Sequence, residues 1–340
     1  MRKVLIIAEA GVNHNGSLDL AKQLVEVAHE AGADIIKFQT CFPELLVSEA
    51  GQKADYQVEN TGIEEESQIE MIRKINLPPE DFAELRAHCD AVGIKFLSTA
   101  FDMRSLEMLN DMGIDIFKIP SGEITNLPYI KRIGEIGKEV ILSTGMANMD
   151  DIGAALAVLD VTGLSRDKIT VLHCTTDYPT AMADVNLKAM RTIMDEFGVR
   201  GGYSDHTLGT EVPIAASALG ASVIEKHFTL DRTMEGPDHA ASLEPDELSA
   251  MVRGIRNIEA AMSGNGMKIP TERESKNIPI ARRSIHLVDD IKVGTVLTAD
   301  HFLMLRPGDG ISPMDMDQCI GKTLNADLPK HHKLTFEDLG

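Results

Sequence analysis

Eight short apolar runs, each followed by a segment of helical spacing, constrain this chain more than any other feature. The runs are Val4–Ala8, Asp34–Gln39, Lys95–Thr99, Ile116–Pro120, Val140–Thr144, Ile169–Cys174, Val199–Ser204 and Ser222–His227. None alternates polar with apolar residues, so they read as strands buried on both faces. The segments between them carry a helical period, as in Leu20, Leu24, Val27, Ala28 and Ala31 after the cap candidate Ser17. Eight β/α repeats over roughly 260 residues predict a TIM (β/α)8 barrel rather than an open doubly wound sheet. No GxGxxG fingerprint favours a dinucleotide-binding alternative.

The excursion from Thr40 to Leu77 is too long for an ordinary connection and lies where barrels build their sites, so it is expected to act as a lid or substrate wall. Its acidic part, Ile63 to Met71, reads as the solvated face of a helix. The eighth helix should begin with Pro245 in its first turn and end near Ser263, before a polar linker from Lys268 to Asn277. RRSIHLVDD, GTVLTADHFLMLRPGDG and IGKTLNADLPKHHKLTFEDL follow, short strand-like pieces with glycine turns that make a small β-rich domain. The expected division is a catalytic barrel over 1–265, a linker over 266–282 and the small domain over 283–340.

The net charge of −20 works against nucleic acid and anionic membranes as partners, and any anionic substrate needs a local cluster of lysine or arginine. The four cysteines show no CxxC spacing, which fits a reducing cytoplasm better than a disulfide framework or a zinc knuckle. The apolar Val4–Ala8 run is cut short by Glu9 and reads as neither signal peptide nor membrane span.

Catalysts in such barrels sit at the C-terminal ends of the strands. The chain offers many there: Glu9, Asn13 and His14; Lys37 and Gln39; Ser98 and Thr99; Lys118, Ser121 and Glu123; Ser143 and Thr144; His173, Thr175, Thr176 and Tyr178. The last two runs end in SDHT and EKHF, so a parallel βαβ unit brings His206 and His227 together. Two neutral imidazoles make half a shell for a divalent cation; the alternative is two separate strand-end hydrogen bonds. Lys37 and Lys118 lie inside apolar runs and must meet an anion, either a small phosphorylated or carboxylated substrate or an internal partner such as Glu9 or Glu123.

The motifs AEAGVNHNG (8–16), IKFQT (36–40), STAF (98–101), KIPSGE (118–123), ILSTGM (141–146), LHCTTDYPT (172–180), SDHTLG (204–209), EKHFT (225–229), GPDH (236–239) and RPGDG (306–310) span nearly the whole chain. In order and placement the chain resembles the bacterial sialic acid synthases, which condense phosphoenolpyruvate with an N-acylated mannose-type sugar. Its last sixty or so residues resemble the antifreeze-like (SAF) domain that closes those enzymes. The resemblance implies a cytoplasmic transferase of the nonulosonate pathway, with N-acetylmannosamine as the default acceptor giving N-acetylneuraminate. A 2,4-diacetamido-2,4,6-trideoxymannose giving N,N'-diacetyllegionaminate is the alternative. Other readings are a phosphoenolpyruvate synthase acting on a phosphorylated sugar, and a noncatalytic carbohydrate- or ice-binding protein.

The resemblance also implies roles. His206 and His227 hold Mn²⁺, with Mg²⁺ or Co²⁺ as substitutes, and the metal polarises the sugar aldehyde. Lys37, Lys118, Ser121 and Ser143 hold phosphoenolpyruvate, and Glu9 handles the attacking water or the sugar hydroxyls. Gln39, Thr99, Glu123, Thr176, Tyr178 and Asp238 position the substrates. Arg306 of RPGDG is implied to reach the neighbouring subunit's sugar in a domain-swapped homodimer, the alternative being an ordinary surface turn. Asp177 stands where the best-known members differ and is expected beside the acceptor, and Asn60 is matched to an asparagine that touches the sugar.

Overall fold

A computed structural model describes residues 3–340, which divide into two compact units, the first ending at Ser263 and the second beginning at Gly264. The first is the expected barrel. Its strands are β1 (Leu5–Gly11), β2 (Ile35–Thr40), β3 (Lys95–Ala100), β4 (Ile116–Ile119), β5 (Glu139–Ser143), β6 (Ile169–Cys174), β7 (Arg200–Asp205) and β8 (Val223–His227). All seven ladders are parallel, in the order β3-β2-β1-β8-β7-β6-β5-β4, and β3 lies beside β4 at the seam. Strand β1 extends past Ala8 to Gly11, which carries Glu9 into the sheet.

The side-chain period of two sorts each strand into an outer and an inner face. Outward residues such as Ile6, Ile36, Phe38, Phe96, Phe117, Val171 and Ile224 pack into the main core with the surrounding helices. Inward, Ile7, Ile35, Leu97, Ile116, Ile141, Leu172 and Val223 meet in a separate apolar plug. Two residues further along the same strands come Glu9, Lys37, Thr99, Lys118, Ser143, Cys174 and Glu225. The plug is therefore the floor on which a polar layer stands. Strand β7 contributes Gly202 to the plug level, where a Cβ would lie 2.6 Å from Leu172 Cδ2 and 2.5 Å from the Val223 carbonyl oxygen. The missing side chain lets Leu172 close the floor.

Local capping sets the helix ends as the sequence predicts. Ser17 accepts a hydrogen bond from the Leu20 amide to open the helix Leu18–Glu30, and the helix after β8 runs Pro245–Ala261. The excursion after β2 folds into three short helices, Pro43–Leu46, Asp55–Thr61 and Gln68–Ile75. The acidic stretch differs from expectation: Glu64 and Glu65 lie exposed before the helix, and Glu66 is spent on ion pairs with Lys53 and Lys74. Reciprocal capping by Ser67 and Glu70 delays the helix start to Gln68. Gly16 holds the β1 loop against the end of this helix, since its φ is +73° and a Cβ there would lie 2.9 Å from the Lys74 carbonyl oxygen.

The second unit contains two short helices, Glu272–Ser275 and Ile278–Ala281, within the stretch expected to be a polar linker. An antiparallel pair, β9 (Ser284–Leu287) and β10 (Phe302–Leu305), and several single bridges enclose a small core that includes Ile285, Leu287, Leu297, Leu324 and Leu334. Among the described residues no helix is long and apolar enough to cross a membrane.

Candidate active site

Strand register assembles the polar layer. Glu9 stands opposite Lys37 on one side and His227 on the other, Gln39 opposite Thr99, and Ser204 opposite Glu225. The side chains enclose a cavity of about 150 Å³ lined by Glu9, Lys37, Gln39, Thr99, Lys118, Ser121, Ser143, Thr176, Tyr178, His206 and His227. Those eleven were candidates from the sequence; Phe101, Cys174, Ser204 and Glu225 also line the cavity and were not. Gln39, Tyr178 and His227 also border an outer cleft of about 360 Å³, which adds Asp238 and the excursion after β2.

The lysines at the cavity floor are not alike. Lys37 Nζ lies 2.9 Å from Glu9 Oε2 and 3.5 Å from Glu225 Oε2 and donates to Thr99 Oγ1 at 3.1 Å, so two carboxylates and a hydroxyl surround it. Lys118 Nζ has one such partner, Glu225 Oε1 at 3.2 Å, and two N–H groups remain free. The internal pairing of Lys37 with Glu9 is thus present, while neither lysine reaches Glu123. Glu225 was not singled out from the sequence. It spans both lysines and accepts from Ser204 Oγ at 2.8 Å. Its signal was available, because in EKH it sits two residues before His227 and must share that inward face.

Electrostatics follow from this packing. Burial would raise Glu225, but the Lys118 and Lys37 ammonium groups outweigh it and hold the carboxyl well below its usual range. For Glu9 burial dominates, lifting the carboxyl to about 7 against the opposing pull of Lys37. Burial likewise lowers Lys118, whereas Glu225 and Glu9 overcome burial and raise Lys37. Glu225 thus anchors the layer with a fixed negative charge, and Glu9 is a carboxyl that changes state near neutrality.

Above the floor, the imidazole centroids of His206 and His227 are 5.5 Å apart. His206 Nδ1 lies 2.5 Å from the Thr175 carbonyl oxygen and must donate to it, which leaves Nε2 with its lone pair. Burial holds His206 down at about 4, and burial with the neighbouring His206 takes His227 well below its ordinary value. Both rings are therefore neutral at pH 7. His227 Nδ1 is buried without a hydrogen bond, 3.8 Å from Asp238 Oδ2, and Asp238 is raised to about 6 by burial. The Tyr178 ring stacks 4.0 Å from His206 and closes that side. Among the described residues no three His, Cys, Asp or Glu side chains converge as a metal shell.

Anion-binding groups lie opposite. Ser143 Oγ is buried and unpartnered, and Ser121 Oγ accepts from the Gly145 amide at 2.9 Å and lies 3.3 Å from Cys174 Sγ. Gly145 permits this approach, since a Cβ would lie 2.4 Å from Thr176 Cγ2.

Two sequence expectations, Glu123 and Asp177, end elsewhere. Glu123 closes a 3-10 turn that carries its carboxylate away from the cavity, to Asn126 Nδ2 at 2.5 Å. Asp177 is exposed and lines neither cavity. Arg306 belongs to the second unit and donates from Nε to the Ala281 carbonyl at 3.0 Å. Asn60 donates to the Pro237 carbonyl at 2.6 Å and so ties the excursion to the loop bearing Asp238. Asn13 braces the same region through Phe228 and Ser242.

The NeuB family profile matches residues 24–268, and the SAF domain profile matches 282–340. The chain belongs to the NeuB family. It is 51% identical over 322 residues to the N,N'-diacetyllegionaminic acid synthase of Campylobacter jejuni, covering 95% of this chain and 96% of that one. The enzyme of the same name from Legionella pneumophila is 44% identical over 98% of this chain and 94% of its own. A crystal structure of the N-acetylneuraminic acid synthetase of Leptospira borgpetersenii matches with a TM-score of 0.71 and 34% identity, over 82% of this chain and 90% of that one. This NeuB-family chain is accordingly an enzyme, a phosphoenolpyruvate-dependent, carbon–carbon bond-forming synthase of the nonulosonate type.

Glu9 supplies a pH test. Between the ordinary carboxyl value of 4.5 and about 7 the folded carboxyl is protonated while the unfolded one is ionised. The unfolded chain then binds fewer protons, so this group makes stability fall as pH rises through that window. Glu9→Gln removes the effect. Its unfolding free energy relative to wild type, measured by urea denaturation, should increase from pH 4.5 to pH 7; a constant difference would show that Glu9 titrates normally.

Proposed function

We propose that the enzyme condenses phosphoenolpyruvate with 2,4-diacetamido-2,4,6-trideoxymannose and water to give N,N'-diacetyllegionaminate and phosphate. The Campylobacter and Legionella relatives carry that product's name at 51% and 44% identity, against 34% for the neuraminate-named structure. This favours the diacetamido acceptor over N-acetylmannosamine, the default reading of the sequence. The observation that carries the reaction is the pairing of Lys118, with two free donors, and the unpartnered Ser143 hydroxyl beneath two neutral imidazoles.

In this reading Lys118, Ser121 and Ser143 bind the phosphate and carboxylate of phosphoenolpyruvate, replacing solvent around the anion with fixed donors. Lys37, already neutralised, serves mainly to hold Glu9 and Glu225 in place. The two neutral imidazoles of His206 and His227 would supply half a shell for a divalent cation, with the remaining positions left to water and substrate. Mn²⁺ suits such nitrogen and oxygen donors, with Mg²⁺ or Co²⁺ as replacements; when bound it supplies Lewis-acid polarisation of the acceptor aldehyde. Carbon 3 of the enol forms the new bond to the aldehyde carbon, whose oxygen takes a proton from solvent and becomes a hydroxyl. Water then adds at carbon 2 and gives its proton to the Glu9 carboxylate, whose value of about 7 suits that exchange. Collapse of the tetrahedral centre breaks the carbon–oxygen bond and releases phosphate.

Purified enzyme should release phosphate with the diacetamido sugar and form a product heavier than the acceptor by one pyruvate. In heavy-oxygen water the label should enter the keto acid and not the phosphate. Chelation should stop turnover and Mn²⁺ restore it. Faster turnover of N-acetylmannosamine, or label in phosphate, contradicts the reading.

The sequence resemblance supports one further component, a homodimer in the cytoplasm in which Arg306 serves the other subunit's acceptor site. Mixing a Lys118→Met chain with an Arg306→Ala chain should then restore about half of wild-type activity in pure mixed dimers and about a quarter after random mixing, since one site of two is intact. No recovery in verified mixed dimers contradicts the exchange.

A further inference from the structure

The outer cleft has a wall whose chemistry the reaction itself does not require. The helix Gln68–Ile75 turns Gln68, Met71, Ile72 and Ile75 into the cleft, positions spaced as one helical face. Leu46 and Val47, from the first short helix of the excursion and its end, join the same lining. Met71 is buried, and the two isoleucines and Leu46 are half-buried, so a sizeable apolar strip faces a space that also borders His227 and Asp238. An acceptor dense in hydroxyl groups would lose hydration against this strip without recovering hydrogen bonds. Methyl groups would gain from it.

Within the strip one polar group stands free. Among the described residues the Gln68 side-chain amide has no hydrogen-bond partner, nor has that of Gln39 across the cleft, whereas Gln57 Oε1 accepts from the Ala54 amide at 3.0 Å and Asn76 Nδ2 donates to the Cys41 carbonyl at 3.2 Å. A primary amide carries both donors and acceptor, the complement of an acetamido group.

We infer that the helix Gln68–Ile75 is the element that selects the acceptor. Met71, Ile72 and Ile75 take up the C6 methyl and acetamido methyl groups, and Gln68 pairs with an acetamido amide. The inference rests on the diacetamido reading of the acceptor and adds to it a physical cause of preference. A 6-hydroxyl in place of the methyl leaves a polar group against the strip, and a 4-hydroxyl leaves the Gln68 amide without its complement. The excursion is thus a specificity wall attached to a reaction centre that it does not build. The polar layer comes wholly from the barrel strands and their immediate loops.

The test compares kcat/KM for 2,4-diacetamido-2,4,6-trideoxymannose, N-acetylmannosamine and the 6-deoxy form of N-acetylmannosamine, at saturating phosphoenolpyruvate with Mn²⁺ present. It uses the full-length wild type, Ile72→Asn, the milder Ile75→Thr, and Gln68→Leu. Ile72→Asn and Ile75→Thr should cut the preference for 6-deoxy over 6-hydroxy acceptors by about tenfold, the scale on which apolar pockets distinguish small groups. Gln68→Leu should cut the preference for the 4-acetamido sugar over its 4-hydroxy counterpart by a similar factor. The KM for phosphoenolpyruvate should stay within about twofold in all variants, which a general structural defect would not allow. If wild type prefers the diacetamido sugar and the variants slow every acceptor equally, or leave the ratios unchanged, the wall assignment falls and the proposed function stands. If wild type prefers N-acetylmannosamine, both fall.

Discussion

Two ammonium groups buried at the floor of a barrel need anions at fixed positions, and the rest of the site is arranged around that need. Glu225 meets it by reaching both Lys37 and Lys118, while Glu9 closes the other side of Lys37. A buried pair of this kind adds little net stability, because the cost of desolvating the charges offsets most of their attraction. What it provides is placement. Lys118 is held with donors to spare, at the end of a cavity sized for a small anion.

The same constraint explains why the polar layer can exist in an otherwise apolar barrel. The plug of Ile7, Ile35, Leu97, Ile116, Ile141, Leu172 and Val223 keeps water from below, and strand alternation places charged and hydroxyl groups one step above it. Burial then does the tuning. It neutralises the two histidines and lifts Glu9 and Asp238, while Glu225, surrounded by positive charge, stays ionised. Substrate recognition is divided in depth, with an anion-binding floor built from strands and an acceptor wall built from the inserted helices.

Much of this was legible in the residues. The eight apolar runs became the eight strands, and residues such as Lys37, Lys118, His206 and His227 lie at one rim because a strand's end carries them there. Glu225 escaped notice for a physical reason: it sits inside an apolar run ahead of a histidine, and only the inward register joins it to lysines from distant strands. Glu123 and Asp177 misled because motif proximity does not fix side-chain direction, and a short turn rotated one away while the other stayed in solvent. The acidic stretch of the excursion looked like a solvated helix face, yet capping at Ser67 moved the helix start and turned its apolar side into the cleft. Turn geometry and capping choose among several local outcomes by small energies, and spacing alone does not resolve them.

The central claim is that Lys118, poised by Glu225, is the group that holds the anionic substrate. Calorimetric titration of phosphoenolpyruvate into Lys118→Met, with the metal present and folding verified by circular dichroism, tests it directly. Losing a charge-assisted contact of about 2 to 3 kcal/mol should weaken binding by roughly 30- to 150-fold. Wild-type affinity in that variant would contradict the account.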